Sequence, residues 1–352
     1  MFWLCTEHMN RPNVSHSMFY EHCKPKTDTF FLILDKVAIN NSIILHGCSV
    51  NSPKDCNCKS TKVRLLGKYS YEIAPLPRCL DGHSIIINRN DELMVLGGFK
   101  FSHFHEMFQE CLVYKEKKWV HHSTLNGPKY FSITVNMPNG IYIFGKTAYN
   151  KDSGASAEFL GNGERQWKEL DIDISSHGLQ LSDGVAISDE EIIFTGGIKR
   201  GHSDGIRTFN VKTNTWTNDG KLFTARWLHK SFVFNDKVII CGGMNFHFID
   251  VIPGIQREDL SSTEIISIHS KEVRKAGNLN QARCGHGMGI LVIEGVPTLA
   301  AFGGIYLEGE VPVRLSSVEL WDDAKECWIM SEMRLPGPGY TFTSYSSIVN
   351  YS

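Results

Sequence analysis

The side chains with the most chemical potential in this chain of 352 residues fall into three groups. His83, His229 and His286 recur in matching surroundings, and three imidazoles around one axis are a possible metal set. Recurrence supplies its own explanation, because a repeated structural position places a histidine there without any metal and no carboxylate accompanies them. The structural reading is favoured. Cys56 and Cys58, with Cys48, Cys23 and His22, form the best zinc constellation, yet one Cys-x-Cys lacking a second matching pair is weak against free thiols in a Pro- and Asn-containing insertion. The third group is cationic and aromatic: Phe104, His105, Arg200, His202, Asn245, His247, Arg257, Tyr306 and Arg314. Convergence of these residues would suit an acidic peptide held by charge-assisted and bidentate hydrogen bonds.

Motifs for catalysis are missing from the sequence. It contains no nucleophile elbow, no phosphate-binding glycine loop and no metalloprotease spacing. The expectation is a non-enzyme with no catalytic residue, no cofactor and no metal.

Positioning depends on a repeat. Residues 226–243 show its pattern: two short β-branched or aromatic runs, 231–234 and 238–241, joined by the turn residues Asn235 and Asp236 and closed by Gly242 and Gly243. Glycine pairs or remnants recur as Gly97 and Gly98, Gly145 and Lys146, Gly196 and Gly197, and Gly303 and Gly304, with a degenerate Gly47 and Cys48 before them. Successive spacings run from 46 to 61 residues, a period that predicts four-stranded blades of a β-propeller. Arg78, Lys129, Arg226 and Arg283 open their units, and Trp119, Trp167, Trp216 and Trp328 close third-and-fourth-strand pairs. The rings are expected to fill the wedge between blades, and the repeated cations to hydrogen-bond carbonyls of the adjoining blade.

This combination of an Arg-led start, a di-glycine, an aromatic and a downstream Trp resembles the kelch repeat family. The resemblance implies an all-β, six-bladed kelch-type β-propeller of four-stranded antiparallel blades. It covers residues 78–335 convincingly and 15–77 weakly. Its departures are informative. The unit beginning at Arg226 has Lys275 near the place of its Trp and a long apolar segment after Gly243, which either marks an interaction patch or packs over the blade end. Unit boundaries are expected at 15–77, 78–126, 127–175, 176–224, 225–281 and 282–335 within one domain spanning 1–352. Residues 336–352 resemble a further first strand that would complete the first blade, although Arg11 with His16 and Ser17 offers the N-terminus for the same task or as the start of a degenerate seventh blade.

In such a blade the loop before the first strand and the loop between the second and third emerge at one end, which gathers the third group of residues on a single face. The expected function is a non-catalytic protein-interaction module, a substrate receptor or scaffold binding a protein or peptide there. The resemblance adds a cullin-type ubiquitin ligase component or actin as partners and, less strongly, a propeller enzyme acting on a sugar or small metabolite. Kelch adaptors usually carry a BTB or F-box module; if the chain is complete, that module would be a separate polypeptide. A net charge of -2 with mixed signs gives no global drive toward nucleic acid or membrane. With 42% hydrophobic and 21% charged residues the composition is globular. The ten cysteines, several inside predicted strands, and the lack of a signal-peptide pattern lead to a cytoplasmic expectation.

Overall fold

The computed structural model describes residues 29–33, 43–48, 61–66, 345–346 and 71–335, the last with breaks at 79, 81, 91, 101–102, 147–154, 175–176, 199–203, 250–253 and 310. Units two to six each form an antiparallel blade. Blade two is Ser84–Ile87, Leu93–Leu96, Glu110–Lys115 and Lys118–Thr124. Blade three is Tyr130–Met137, Gly140–Lys146, Ala155–Gly161 and Lys168–Leu170; blade four is Asp183–Ala186, Glu191–Thr195, Gly205–Asn210 and Thr215–Lys221. Blade five is Lys230–Phe234, Lys237–Cys241, Thr263–Ser267 and Val273–Ala276, and blade six is Gly287–Ile293, Val296–Phe302, Ser317–Asp322 and Cys327–Arg334. Thr29–Ile33, Ile43–Cys48, Thr61–Leu66 and Tyr71–Leu76 form a further four-stranded antiparallel sheet within the first unit.

The turn chemistry read from the sequence appears where expected. Asn235 and Asp236 both adopt positive φ, +47° and +59°, the left-handed pair that a two-residue hairpin needs to match strand twist. Second strands such as Leu93–Leu96 are buried at every residue, because a blade in the middle of the stack is covered on both faces.

Apolar clusters lie between successive blades. Ile86, Met94 and Leu96 of blade two pack with Ile141, Ile143 and Trp167 of blade three. Tyr142 and Phe144 pack with Phe194 and Phe209 of blade four, and Ile239 and Ile265 of blade five pack with Leu299, Trp321 and Trp328 of blade six. The fourth-strand tryptophans face the preceding blade. Trp119 Nε1 donates to the Ala74 carbonyl, Trp167 Nε1 to Ser123 Oγ and Trp328 Nε1 to Thr263 Oγ1, so each ring fills the wedge and its polar edge crosses the seam. Trp216 meets Phe144 and Phe194 at centroid distances of 6.4 and 5.3 Å. Blade five has no such ring; Lys275 places its ammonium 5.3 Å from the Phe223 ring centroid instead.

One segment gains a definite form and one sequence expectation changes. The segment after Gly243 is a regular hairpin, Met244–Ile249 against Gly254–Asp259. The tail does not complete the first unit's sheet, which already has four strands. Tyr345–Ser346 instead adds in parallel to Ser84–Ile87 at the inner edge of blade two, and lies near the inner strands Tyr130–Met137 and Gly287–Ile293. Its backbone therefore occupies part of the axial channel. Arg11, His16, Ser17, His22, Cys23, Cys56 and Cys58 lie outside the described residues, and of Cys48 only the strand backbone is described.

The glycine pairs are required by contact as well as by dihedral angle. Gly242 has φ +64°, and a Cβ there would stand 2.5 Å from the Arg283 carbonyl oxygen and 2.8 Å from His286 Cε1. The next amide, Gly243 N–H, donates to that same carbonyl at 2.9 Å. Gly163, with φ +76°, has nothing within 4 Å of an added Cβ. We expect G163A to cost about 1–2 kcal/mol from the left-handed dihedral alone. G242A should cost about 2 kcal/mol more, because it also displaces an inter-blade hydrogen bond. Urea unfolding midpoints of the two variants check this difference.

Candidate functional site

The repeated cations form a buried clamp at one end of the blades. Arg226 Nη1 donates to the carbonyls of Gly242 and Ser262 at 2.8 and 3.0 Å, and Nη2 to Ser262 Oγ and Glu264 Oε1 at 3.0 and 2.6 Å. Arg283 repeats the arrangement with Gly303, Ser317 and Glu319, ending 2.6 Å from Glu319 Oε1. Lys129 reaches Ser156 Oγ at 2.9 Å and Glu158 Oε1 at 2.5 Å. All six ion-pair side chains are at most 1% exposed. The side-chain partners thus belong to the cation's own blade, which corrects the adjoining-blade expectation. The link to the neighbour runs through the cation's backbone: carbonyls of Lys129, Arg226 and Arg283 accept from Gly98, Gly197 and Gly243 N–H of the preceding blade.

The glutamates are the group that sequence reasoning passed over. Each also accepts amides of the segment entering its blade: Glu158 from Asn126 and Gly127, Glu264 from Phe223 and Thr224, Glu319 from Asn280 and Gln281. A signal was present, since all three sit in third strands before an apolar residue, but the loop between glycine and glutamate varies in length and hides the spacing.

Two units depart from the clamp. Arg78 stands five residues before His83, whereas Arg226 and Arg283 stand three before their histidines. Arg78 therefore lies outside the buried position, and its pair with Glu110 is exposed at 38% and 40%. In blade four the pairing of Asp183 with Thr195, matched to Lys230 with Cys241, puts Leu179 at the cation's place. Arg207 takes the glutamate's place, and burial lowers its pKa against the pull of Asp204. The preceding glycine position is Lys146, so both changes meet at the junction of blades three and four.

Around the axis, burial keeps His83 uncharged with a pKa lowered to about 3. His229 and His286 are held well below 6.5, first by burial and then by the charges of Arg226 and Lys230 on the former and Arg283 and Lys230 on the latter. His229 Nε2 contacts Thr195 Oγ1 at 2.9 Å. Lys230 lies 3.3 Å from Asp183, whose carboxyl burial pushes upward despite that cation. Among the described residues no three His, Cys, Asp or Glu side chains gather as a metal set.

Three two-stranded hairpins rise between second and third strands, at the end that also carries the loops before first strands. They are Phe99–Lys100 with His103–Met107, Met244–Ile249 with Gly254–Asp259, and Ile305–Glu308 with Val311–Arg314. Beneath the last two, Trp227, Met244, Cys284 and Ile305 form a buried cluster with Ile198. Arg257 donates from Nε and Nη2 to Asp259 Oδ1 at 2.9 and 2.7 Å, and Asp259 Oδ2 accepts Leu307 N–H at 2.6 Å. That ion pair, 6% and 7% exposed, ties one hairpin to the next.

Of the predicted binding residues, Arg257 and the buried Asn245 therefore belong to the hairpin scaffold. Tyr306 and Arg314 are half-buried on the blade-six hairpin, opposite Val313 and Ile305. Phe104, His105 and His247 lie on hairpin strands whose backbone alone is described, and Arg200 and His202 lie outside the described residues. Sequence reasoning missed Val311 and Phe223, 63% and 61% exposed at this end. No periodicity marks them: Val311 opens the second strand of a hairpin and Phe223 lies in the segment entering blade five, where exposure follows from the neighbours and not from spacing.

Removing Glu319 would leave the Arg283 guanidinium and two amides buried without a carboxylate, so E319A should cost about 3–5 kcal/mol, while E110A at the exposed pair should cost under about 1 kcal/mol. Chemical denaturation of both distinguishes the buried clamp from the surface pair. Neutral burial of His83, His229 and His286 also sets a pH response. Between pH 6.5 and the lowered native values the unfolded chain binds protons that the native chain does not, so stability falls as pH drops below about 6.5, by roughly 1.4 kcal/mol per pH unit per histidine. Unfolding free energies at pH 7.5 and 5.5 should show this loss, and H229N should reduce the slope by about one proton.

No family model matches the chain, and no curated protein matches it. Among solved structures, the one titled "Structure of YjhT" is similar with a TM-score of 0.65 at 15% sequence identity, over 87% of this chain and 97% of that chain. At that identity the likeness speaks to architecture alone: the protein is an all-β propeller of four-stranded antiparallel blades.

Proposed function

We propose that the chain is a six-bladed kelch-type propeller acting as a non-catalytic protein-interaction module, a substrate receptor or scaffold that takes a protein or peptide on the hairpin-bearing end. The observation that carries this reading is an exposed apolar side chain, Val311, on a hairpin anchored from below by the Arg257–Asp259–Leu307 link. Exposed apolar groups on a rigid support lose little conformational entropy on association, which favours recognition. Tyr306 and Arg314 on the same hairpin supply aromatic and cationic groups of the kind enriched at interfaces.

The blade count rests on adding the first unit's four-stranded sheet to blades two to six. The kelch assignment rests on the resemblance of the Arg, di-glycine and Trp positions, of which Arg226, Arg283, the glycine pairs and the tryptophans take part in the packing described above. A cytoplasmic ligase component or actin are partners this reading admits through the kelch resemblance.

The test is crosslinking and affinity capture with wild type and with V311E/Y306A, using R89E in a turn at the opposite end as control. Loss of a partner in the double variant alone is expected. An unchanged set of crosslinks at that face would remove the assignment.

A further inference from the structure

Where blade five meets blade six, Cys241 Sγ lies 3.4 Å from His286 Nε2 and 3.4 Å from Met288 Sδ. His286 immediately precedes the first strand of blade six and Met288 is its second residue; both meet the end of the second strand of blade five at Cys241. Cys241 and His286 are fully buried and Met288 is 2% exposed.

The preceding junction holds a hydroxyl set at the same place. At the equivalent positions of blades four and five stand Thr195, His229 and Ser231, with Thr195 Oγ1 2.9 Å from both His229 Nε2 and Ser231 Oγ. That oxygen–nitrogen–oxygen triad closes by ordinary hydrogen bonds. One junction on, the imidazole is kept and both oxygens are replaced by sulfur. A thioether donates no hydrogen bond and a thiol is a poor donor, so the exchange gives up the hydrogen-bonded closure of the seam. What it gains is a donor set of thiolate, imidazole and thioether, the soft combination suited to a monovalent copper ion.

We propose that Cys241, His286 and Met288 form a binding site for Cu(I), closed from solvent within the seam of blades five and six. Binding forms a Cu–S bond as the Cys241 thiol releases its proton to solvent, so the thiolate balances the ion's charge without any change of oxidation state. Burial at present keeps that thiol protonated, and the ion replaces the proton. The imidazole is uncharged there and offers its Nε2 lone pair. The site is independent of the hairpin face and needs no reaction.

The test titrates the full chain with Cu(I) under anaerobic, reducing conditions, counting bound copper by chelator competition and recording copper-edge X-ray absorption. C241T/M288S rebuilds the hydroxyl set of the neighbouring junction and should retain the fold, checked by circular dichroism and urea unfolding. M288L conserves volume and removes the thioether alone. Wild type should hold one more Cu(I) per chain than C241T/M288S, with nitrogen and sulfur scatterers at that ion, and M288L should bind it at least tenfold more weakly. Equal copper content in wild type and C241T/M288S would assign the metal to other cysteines and overturn the proposal. Unchanged affinity in a folded M288L would overturn it independently, by removing Met288 from the ligand set.

Discussion

A full positive charge buried at the start of a blade is the constraint from which much of this structure follows. Arg226, Arg283 and Lys129 are withdrawn from water almost completely, a burial that is unfavourable unless each charge is paired and its donors are used. Glu264, Glu319 and Glu158 supply the charge, and carbonyls or hydroxyls beside the glycines take further donors. Because the same carboxylates receive backbone amides of the entering segment, one pair fixes the first strand, the third strand and the path between blades.

The glycines make this arrangement cooperative along the stack. Carbonyls of the buried cations approach Gly97, Gly196 and Gly242 so closely that a Cβ would stand within 2.5 Å of each. Blade-to-blade contact and the internal clamp are thus one network. Its irregular seam lies between blades three and four, where Lys146, Leu179 and Arg207 replace glycine, cation and carboxylate. The loss of the cation and the loss of the carboxylate are mutually consistent, since without a buried cation the carboxylate would be uncompensated. Aromatic packing of Phe144, Phe194, Phe209 and Trp216 spans that seam, and apolar burial there takes over from the polar clamp.

Residues that vary between units gather in the hairpins between second and third strands. Hairpins between second and third strands add backbone pairing above the blades without altering the clamp beneath. The Arg257–Asp259 pair makes two of them one rigid unit, and in doing so withdraws a cation that had the look of a binding residue. Exposure passes to side chains such as Val311 and Phe223, whose apolar character gave no reason to select them.

Strands, turns and blade order were legible in the amino-acid sequence, because alternating β-branched residues, Asn235 and Asp236 at a hairpin, and glycines at positive φ act over a few residues. Trp119, Trp167 and Trp328 were legible as wedge fillers for the same reason: their period reports a place between sheets. Pairings across variable loops were not. Glu264 and Glu319 follow their glycines at different distances, so only the closed blade shows that both meet an arginine. Arg78 resembles Arg226 in one dimension, and two residues of register move its pair to the surface. Cys241 and His286 are 45 residues apart, and their meeting depends on how blade six seats on blade five. The sequence by itself determined the repeat, its strands and its wedge residues, since these depend on local pattern. Tertiary structure alone decided which charges are buried, which loops become hairpins, where the tail strand lies and which side chains remain exposed, since these depend on distances between segments far apart along the chain.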